Sequence, residues 1–339
     1  MPFLLKSSVF SIAVPPGIGD ALWSLTKVPS LREKHHKKMQ IVVCDTALRR
    51  SHEFLEAFDF VDSVVYAPFP LHPPCKISAE GPYTYQNSRF GFEKYDLLLI
   101  ANGHLERGHR LENWFTEIET DFTIGSRWIF DHQHVATASK FKEQFGDYAV
   151  FYLGPQKGNT KFGHNRDSLW KLSDWIKLAE MFINKYGLHI LVVGAPYDKS
   201  YSNMFFASLP PSLKEKTTDL VGLTPIGLTY SYIVFSKCVI SYQSGIGIFS
   251  VYLGIPTVLW WRPYGNSLAS FRFISFKEEM ATAWAPPWTL KNTYLPQIYG
   301  KSDPQSLMLE IEKRGWLTFS TEKRFRDNMT LSQKHNVVY

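Results

Sequence analysis

The 339-residue chain lacks several features that define other classes of protein. Its three cysteines, Cys44, Cys75 and Cys238, are far apart and form no Cys or Cys/His ligand pattern, which argues against a structural zinc site and for reduced thiols. No apolar run approaches the roughly 20 residues of a membrane helix. The first residues lack the basic segment, the apolar core and the cleavage site that together make up a signal peptide. These absences predict a cytoplasmic protein without a transmembrane segment.

The excess of positive over negative side chains is also small. The formal net charge is +6 and the pI is about 9.0. A basic balance of this size favours an anionic ligand, partner or surface, but it is too small to diagnose nucleic-acid binding.

Short apolar runs alternate with helical patterns along the whole chain, which predicts an α/β fold with parallel sheets. We expect strands at 9–14, 41–44, 61–66, 97–101, 149–153, 189–193, 239–242 and 257–261. We expect helices at 21–38 (kinked or split at Pro29), 51–58, 136–145, 173–186, 227–236, 246–253 and 303–314. The length allows two domains, which we place at 1–147 and 148–315, with a polar tail at 316–339. Between 196 and 219 we expect only a short polar stretch.

The stretch 238–261 combines a strand, a tight turn, a helix and a second strand. Ser244 is placed to cap the helix, and Gly254 and Pro256 to end it. The amides of the Ser244-Gly245 turn would lie at the carboxyl edge of the sheet, where the helix dipole favours an anion. An ordinary structural turn explains the same residues equally well.

Two loops in the first half carry aromatic rings and cations. The loop 67–92 is rich in proline, glycine and aromatic residues and contains Arg89. A loop this long is usually functional or disordered, and its aromatic content argues against disorder. The loop 102–110 holds Arg107, His109 and Arg110 after a strand, where ligands bind in open α/β sheets, although a solvated basic loop is the alternative.

Several motifs follow one another in a characteristic order. Residues 17–22 (Gly-Ile-Gly-Asp-Ala-Leu) are followed by Thr26 and Pro29, and the second half contains 191–194, 219–224, 244–245 and 253–257. Together these motifs resemble those of the heptosyltransferases, glycosyltransferase family nine. The resemblance implies the GT-B architecture, in which two Rossmann-like domains face a cleft. Gln243 and Ile248 stand where that family usually has Asp and His, which predicts a changed donor pocket.

The resemblance also implies roles for individual residues. Asp20 looks like the base of an inverting transfer, although an aspartate at this position is also a common helix N-cap. The first domain would hold the acceptor, through Gly17 and Gly19 and the cations listed here: Arg89, Arg107, His109 and Arg110. The second domain would hold a nucleotide-diphosphate sugar, through these residues: Gln243, Ser244, Gly245, Gly194, Gly222 and Thr224. One of Lys157, Lys161 and Arg166 would contact the diphosphate, and Asp198 either binds ribose or is solvated.

The sequence lacks an Asp-x-Asp clamp, which favours metal-independent transfer with no cofactor, and neither His35-His36 nor His164 has ligand-like companions.

The expected acceptor is an anionic glycan. An alternative is a virus-type DNA glycosyltransferase acting on hydroxymethylated pyrimidines. A second alternative is a non-catalytic binder of nucleotide sugars or nucleic acid. A dinucleotide enzyme is disfavoured because Gly17-Ile18-Gly19 lacks the third glycine of Gly-x-Gly-x-x-Gly.

Overall fold

The computed structural model describes residues 8–14, 17–43, 52–66, 97–98, 121–154, 170–242, 244–260, 293–294 and 303–318. These residues form two compact units, one ending at Ile129 and the other beginning at Phe130. The loops 67–92 and 102–110 and the tail from 319 onward lie outside the described residues. No helix in the described ranges is long and apolar enough to cross a membrane.

The first unit contains a parallel sheet with the strand order β3-β2-β1-β4. Its strands are β1 (Val9–Val14), β2 (Lys38–Val43), β3 (Ser63–Tyr66) and β4 (Leu97–Leu98). Its helices are α1 (Ile18–Leu25), α2 (Val28–His35) and α3 (His52–Glu56). The parallel sheet is therefore confirmed, and the carboxyl end of β1 leads directly into α1.

The expected helix at 21–38 is two helices with different ends. The N-cap is Gly17, so α1 starts three residues earlier than expected, and Asp20 is the third residue of the helix rather than its cap. The chain breaks before α2, where Pro29 occupies one of the first two positions and needs no hydrogen-bonded N–H. The helix then ends at His35, because His36 has a φ of 52°, and Lys38 already belongs to β2.

The second unit contains a parallel sheet of the Rossmann type. Its strands are β5 (Tyr148–Tyr152), β6 (His189–Val192), β7 (Thr217–Asp219), β8 (Val239–Tyr242), β9 (Thr257–Trp260) and β10 (Thr293–Tyr294). The spatial order β7-β6-β5-β8-β9-β10 corresponds to the order 3-2-1-4-5-6 of dinucleotide-binding sheets. The order of the strands changes direction between β5 and β8, which are direct neighbours.

Helices pack on this sheet between its strands. They are α4 (His132–Phe145), α5 (Leu172–Tyr186), α6 (Lys199–Ser208), α7 (Pro211–Lys214), α8 (Ile226–Phe235), α9 (Gly245–Tyr252) and α10 (Pro304–Lys313). The helix α4 belongs to this unit because the Phe141 ring packs edge-on against Tyr148, His189 and Tyr232. The chain therefore divides after Ile129, whereas the sequence analysis placed the boundary after residue 147.

The expectation of a short polar stretch between 196 and 219 is wrong. This segment forms α6, α7 and β7. Phe205 in α6, Leu209 directly after it and Leu213 in α7 are at most 5% exposed and belong to the hydrophobic core.

Candidate functional site

The candidate site of the second unit lies where the strand order changes direction. In open α/β sheets ligands bind in the crevice at this point, beyond the carboxyl ends of the two central strands. Here β5 is followed by Leu153 and by Gly154, which has a φ of +75°, and β8 leads to Ser244. The residues Lys157, Lys161, Arg166 and Gln243 follow these strand ends but lie outside the described residues.

Ser244 caps α9, as the sequence predicts. Its Oγ accepts a hydrogen bond from the Gly247 amide at 3.1 Å and lies 3.0 Å from Ser241 Oγ. Since the Ser241 hydroxyl donates to the Tyr242 carbonyl at 2.6 Å, Ser244 must be the donor in the serine pair. The Ser244 hydroxyl is therefore occupied by the protein itself and fixes the turn.

Because the Ser244 hydroxyl is occupied, the backbone amides of this turn are the groups that could bind a ligand. The amides of Gly245 and Ile246 are the first two of α9, and such amides have no acceptor within their own helix. The Gly245 carbonyl accepts from Tyr230 Oη at 3.2 Å, and burial raises the pKa of Tyr230 well above its usual value, so the phenol remains a donor. With the helix dipole, the two amides form a site suited to an anion.

Gly247 lets α9 approach the sheet closely. A Cβ atom at this position would lie 2.5 Å from Leu259 Cδ1 and 2.8 Å from Ser241 Oγ. Any side chain would therefore push the start of α9 away from β8 and β9. The sequence analysis gave Gly247 no role, although a glycine two residues after Ser-Gly is a signal for close helix–strand packing.

Gly194 and Gly222 lie in two turns that pack against each other. The Gly222 amide donates to the Gly194 carbonyl at 2.9 Å. Gly222 has a φ of +71°, and a Cβ there would lie 2.9 Å from Pro196 Cα. The hydroxyl of Thr224 lies 2.8 Å from that of Thr229 and ties the second turn to α8. These groups shape the edge of the site, and their expected contacts with a nucleotide remain a prediction.

Asp198 has a structural role in the first of these turns. It is 3% exposed, and its Oδ2 accepts from the Ala195 amide at 2.9 Å. The carboxylate is therefore directed into the protein, which does not favour ribose binding. Two large hydrophobic side chains on these turns are exposed, Tyr197 at 56% and Leu223 at 67%, and both offer apolar surface to a ligand.

In the first unit the glycine turn precedes α1 directly. Gly17 is the N-cap with extended dihedrals, its carbonyl accepts from the Ala21 amide at 2.8 Å, and Gly19 is buried. Asp20 lies in the first turn of the helix, and its side chain is outside the description. The amides of Ile18 and Gly19, like those of α9, have no intrahelical acceptor. The other acceptor candidates, Arg89, Arg107, His109 and Arg110, lie outside the described residues.

Lys27, between α1 and α2, is 1% exposed, and burial lowers its pKa to about 8. The sequence analysis did not single out this lysine.

Within the described ranges no group of three or more His, Cys, Asp or Glu side chains is arranged to hold a metal ion, and metal independence stays a prediction.

The chain matches no family model and no curated protein sequence. Solved structures do resemble it. ADP-heptose lipopolysaccharide heptosyltransferase II of Escherichia coli aligns with a TM-score of 0.58 at 13% identity, over 91% of this chain and 98% of that one. A family nine glycosyltransferase of Veillonella parvula aligns with a TM-score of 0.57 at 11% identity, over 96% and 97%. The chain has the GT-B fold.

A third GT-B structure, the E. coli heptosyltransferase WaaC with ADP, aligns with a TM-score of 0.54 at 14% identity, over 93% of this chain and 99% of that one. The resemblance to heptosyltransferases and the two Rossmann-like domains expected from the sequence are thereby confirmed. Because these GT-B structures align over nearly the whole chain, both units belong to the common fold.

Proposed function

We propose that the chain is an inverting, metal-independent glycosyltransferase that moves a sugar from a nucleotide-diphosphate sugar to a hydroxyl of an anionic glycan. The observation that carries the proposal is the Ser244 turn. It places two helix amides at the switch point of a Rossmann-type sheet, in a chain with the fold of heptosyltransferases over nearly its whole length.

In this proposal the second unit binds the donor. The amides of Gly245 and Ile246 hold the diphosphate and stabilise its charge as it leaves the sugar. A cation from Lys157, Lys161 or Arg166 adds to this charge stabilisation, since the loop that carries them begins at the neighbouring strand end. Tyr197 and Leu223 give apolar surface to the nucleotide on the outer turns.

The first unit supplies the base and binds the acceptor. The Asp20 carboxylate takes the proton of the acceptor hydroxyl, and the oxygen attacks the anomeric carbon opposite the diphosphate. The bond between the anomeric carbon and the diphosphate breaks, so the configuration inverts. Gly17 and Gly19 leave space for the acceptor near this carboxylate, and Arg89, Arg107, His109 and Arg110 pair with its anionic groups.

The donor is tested by thermal unfolding in the presence of a panel of nucleotide sugars and nucleoside diphosphates. A ligand that binds only the folded state raises the melting temperature by mass action. At a hundred times its Kd, such a ligand adds about 2.7 kcal/mol to the free energy of unfolding. We expect one nucleotide to stabilise the chain, and its sugar-free diphosphate to stabilise it too. The absence of stabilisation by every member of the panel would contradict the proposal.

The acceptor is tested by offering two anionic substrates with the donor that binds. One is a phosphorylated glycan, and the other is a DNA duplex with hydroxymethylated pyrimidines beside an unmodified duplex. The net charge of +6 is what keeps DNA as a second candidate. We expect the glycan to gain the mass of one sugar. If only the modified duplex gained the mass of one sugar, the function would be glycosylation of DNA. Binding to DNA would then fall steeply as the salt concentration rises.

A further inference from the structure

A second concave site lies in the first unit, beside α2 and the start of β2. It is a cavity of about 440 Å³ with a strongly basic lining. The lining residues are Pro29, Arg32, Glu33, His36, Lys37, Lys38 and Arg127. Lys38 pairs with Val9 at the amino end of β1, whereas the Gly17 turn follows the carboxyl end of this strand. The cavity and the candidate acceptor turn therefore lie at opposite edges of the sheet.

Two arginines of the cavity are held in place by aspartates. Arg127 donates from Nε to Asp59 Oδ1 at 2.9 Å and from Nη1 to Asp121 Oδ2 at 3.4 Å. Arg32 donates from Nη1 to the Asp59 carbonyl at 3.3 Å and from Nη2 to Asp62 Oδ1 at 3.5 Å. Each guanidinium has five N–H donors, so both keep donors for a ligand while their planes are oriented.

The remaining cations of the lining have no aspartate partner among the described residues. Within the described part of the chain, Lys37, Lys38 and His36 form no ion pair with a carboxylate, and Lys37 Nζ lies 5.9 Å from the centre of the Phe10 ring. On the lining itself, two arginines and two lysines face a single carboxylate, Glu33. The three aspartates beside the arginines, together with Glu33, equal the two arginines and two lysines in formal charge, so an anion would be attracted by the position of Lys37, Lys38 and the remaining guanidinium N–H groups and not by a net positive charge.

We propose that this cavity binds a phosphate group, as a monoester or a diester. Oriented guanidinium forks match the oxygen geometry of phosphate, and lysines add point charges that tolerate several poses. The volume lies within the roughly 300–1,000 Å³ of small-molecule pockets, which leaves space for the group that carries the phosphate. A soluble phosphorylated sugar and a phospholipid head group share this chemistry. The proposal does not depend on the proposed function, because it uses none of the donor or acceptor residues.

The test measures binding of two kinds of probe to the full chain. Inorganic phosphate and a sugar phosphate are titrated by calorimetry, and vesicles of phosphatidylcholine with or without phosphatidylglycerol are used in flotation. The variant is Lys37→Gln with Lys38→Gln. The matched control is Lys214→Gln with Lys216→Gln, which removes the same charge from two exposed lysines of the other unit. Arg127→Lys keeps the charge but removes the fork, and circular dichroism checks that each variant is folded.

We expect the Lys37/Lys38 variant to bind the phosphate probe at least about tenfold more weakly, and the control to bind like the wild type. Binding of the soluble probes would identify the phosphate group itself as the ligand, and binding of the anionic vesicles alone would identify a lipid head group. Arg127→Lys should weaken binding as well. An equal loss in the control variant, or the absence of binding to every probe, would overturn the proposal.

Discussion

Replacing Gly247 by alanine should damage the candidate donor site through a single methyl group. The new Cβ would lie 2.5 Å from Leu259 Cδ1, 2.8 Å from Ser241 Oγ and 3.0 Å from Ser241 Cβ. Ordinary contacts of this kind are about 3.5–4.0 Å, so one side must move by about 1 Å. The Leu259 side chain is fully buried, and the Ser241 hydroxyl is held by bonds to Tyr242 and Ser244. The start of α9 is therefore the part that moves.

Overpacking of this kind costs about 1–3 kcal/mol of unfolding free energy. For a unit of this size, each kcal/mol lowers the melting temperature by about 2–4 °C. The displaced amides of Gly245 and Ile246 would also no longer meet the diphosphate in the same geometry. We expect donor affinity to fall at least about tenfold, equivalent to about 1.4 kcal/mol.

The assay compares thermal unfolding and nucleotide titration for Gly247→Ala and for a control at the other end of the same helix, Gly254→Ala. Gly254 has a φ of +72°, and no atom of the described residues lies within 4 Å of an added Cβ, so alanine there costs only backbone strain of about 1–2 kcal/mol. The control should lose stability and keep its donor affinity. If Gly247→Ala kept the stability and the nucleotide affinity of the wild type, the site would not depend on the close approach of α9.

Three further outcomes are expected from the sequence and the structure together. Ser244→Ala removes the cap hydroxyl but leaves the helix amides, so it should cost about 1 kcal/mol of stability, measured by urea unfolding, with a smaller loss of donor affinity than Gly247→Ala. Transfer should persist in excess EDTA, and a loss that Mg²⁺ or Mn²⁺ restores would reveal a metal requirement. Burial lowers the pKa of Lys27 from 10.5 to about 8. Between about pH 8 and pH 10.5 the folded state therefore binds fewer protons than the unfolded state, and the free energy of unfolding should rise with pH. Lys27→Met should remove that rise, about 3 kcal/mol, in urea unfolding at several pH values, and an unchanged pH dependence would contradict it.

The sequence predicted those parts of the fold that depend on local interactions. The strands β1 and β8 begin and end as expected, because each is a short apolar run rich in β-branched residues. The Ser244 cap was also predictable, since a serine hydroxyl bonds an amide three residues away. The start of α1 was missed because Gly-Ile-Gly is a poor helix sequence, and the helix is stabilised by the full burial of Leu22 and Leu25.

The parts of the site that escaped prediction depend on residues far apart in the chain. The need for glycine at position 247 arises from Leu259, on a different strand. Asp198 was interpreted as a surface residue because nothing in the sequence shows that its carboxylate turns back to the Ala195 amide. The basic cavity combines α2 with Arg127, about a hundred positions later, so its lining cannot be read from either segment alone.

The measurement that tests the central claim most directly is the mass of a phosphorylated glycan acceptor after incubation with the nucleotide sugar that stabilises the chain. We expect the wild type to add one sugar, and Asp20→Asn to bind the donor normally but to transfer about 100-fold more slowly or worse, because a general base contributes about 10²–10⁴-fold. The N-cap of α1 is Gly17, so the substitution removes no capping residue. Full transfer by Asp20→Asn would contradict the role of Asp20, and no transfer by the wild type with any donor and acceptor would contradict the proposed function.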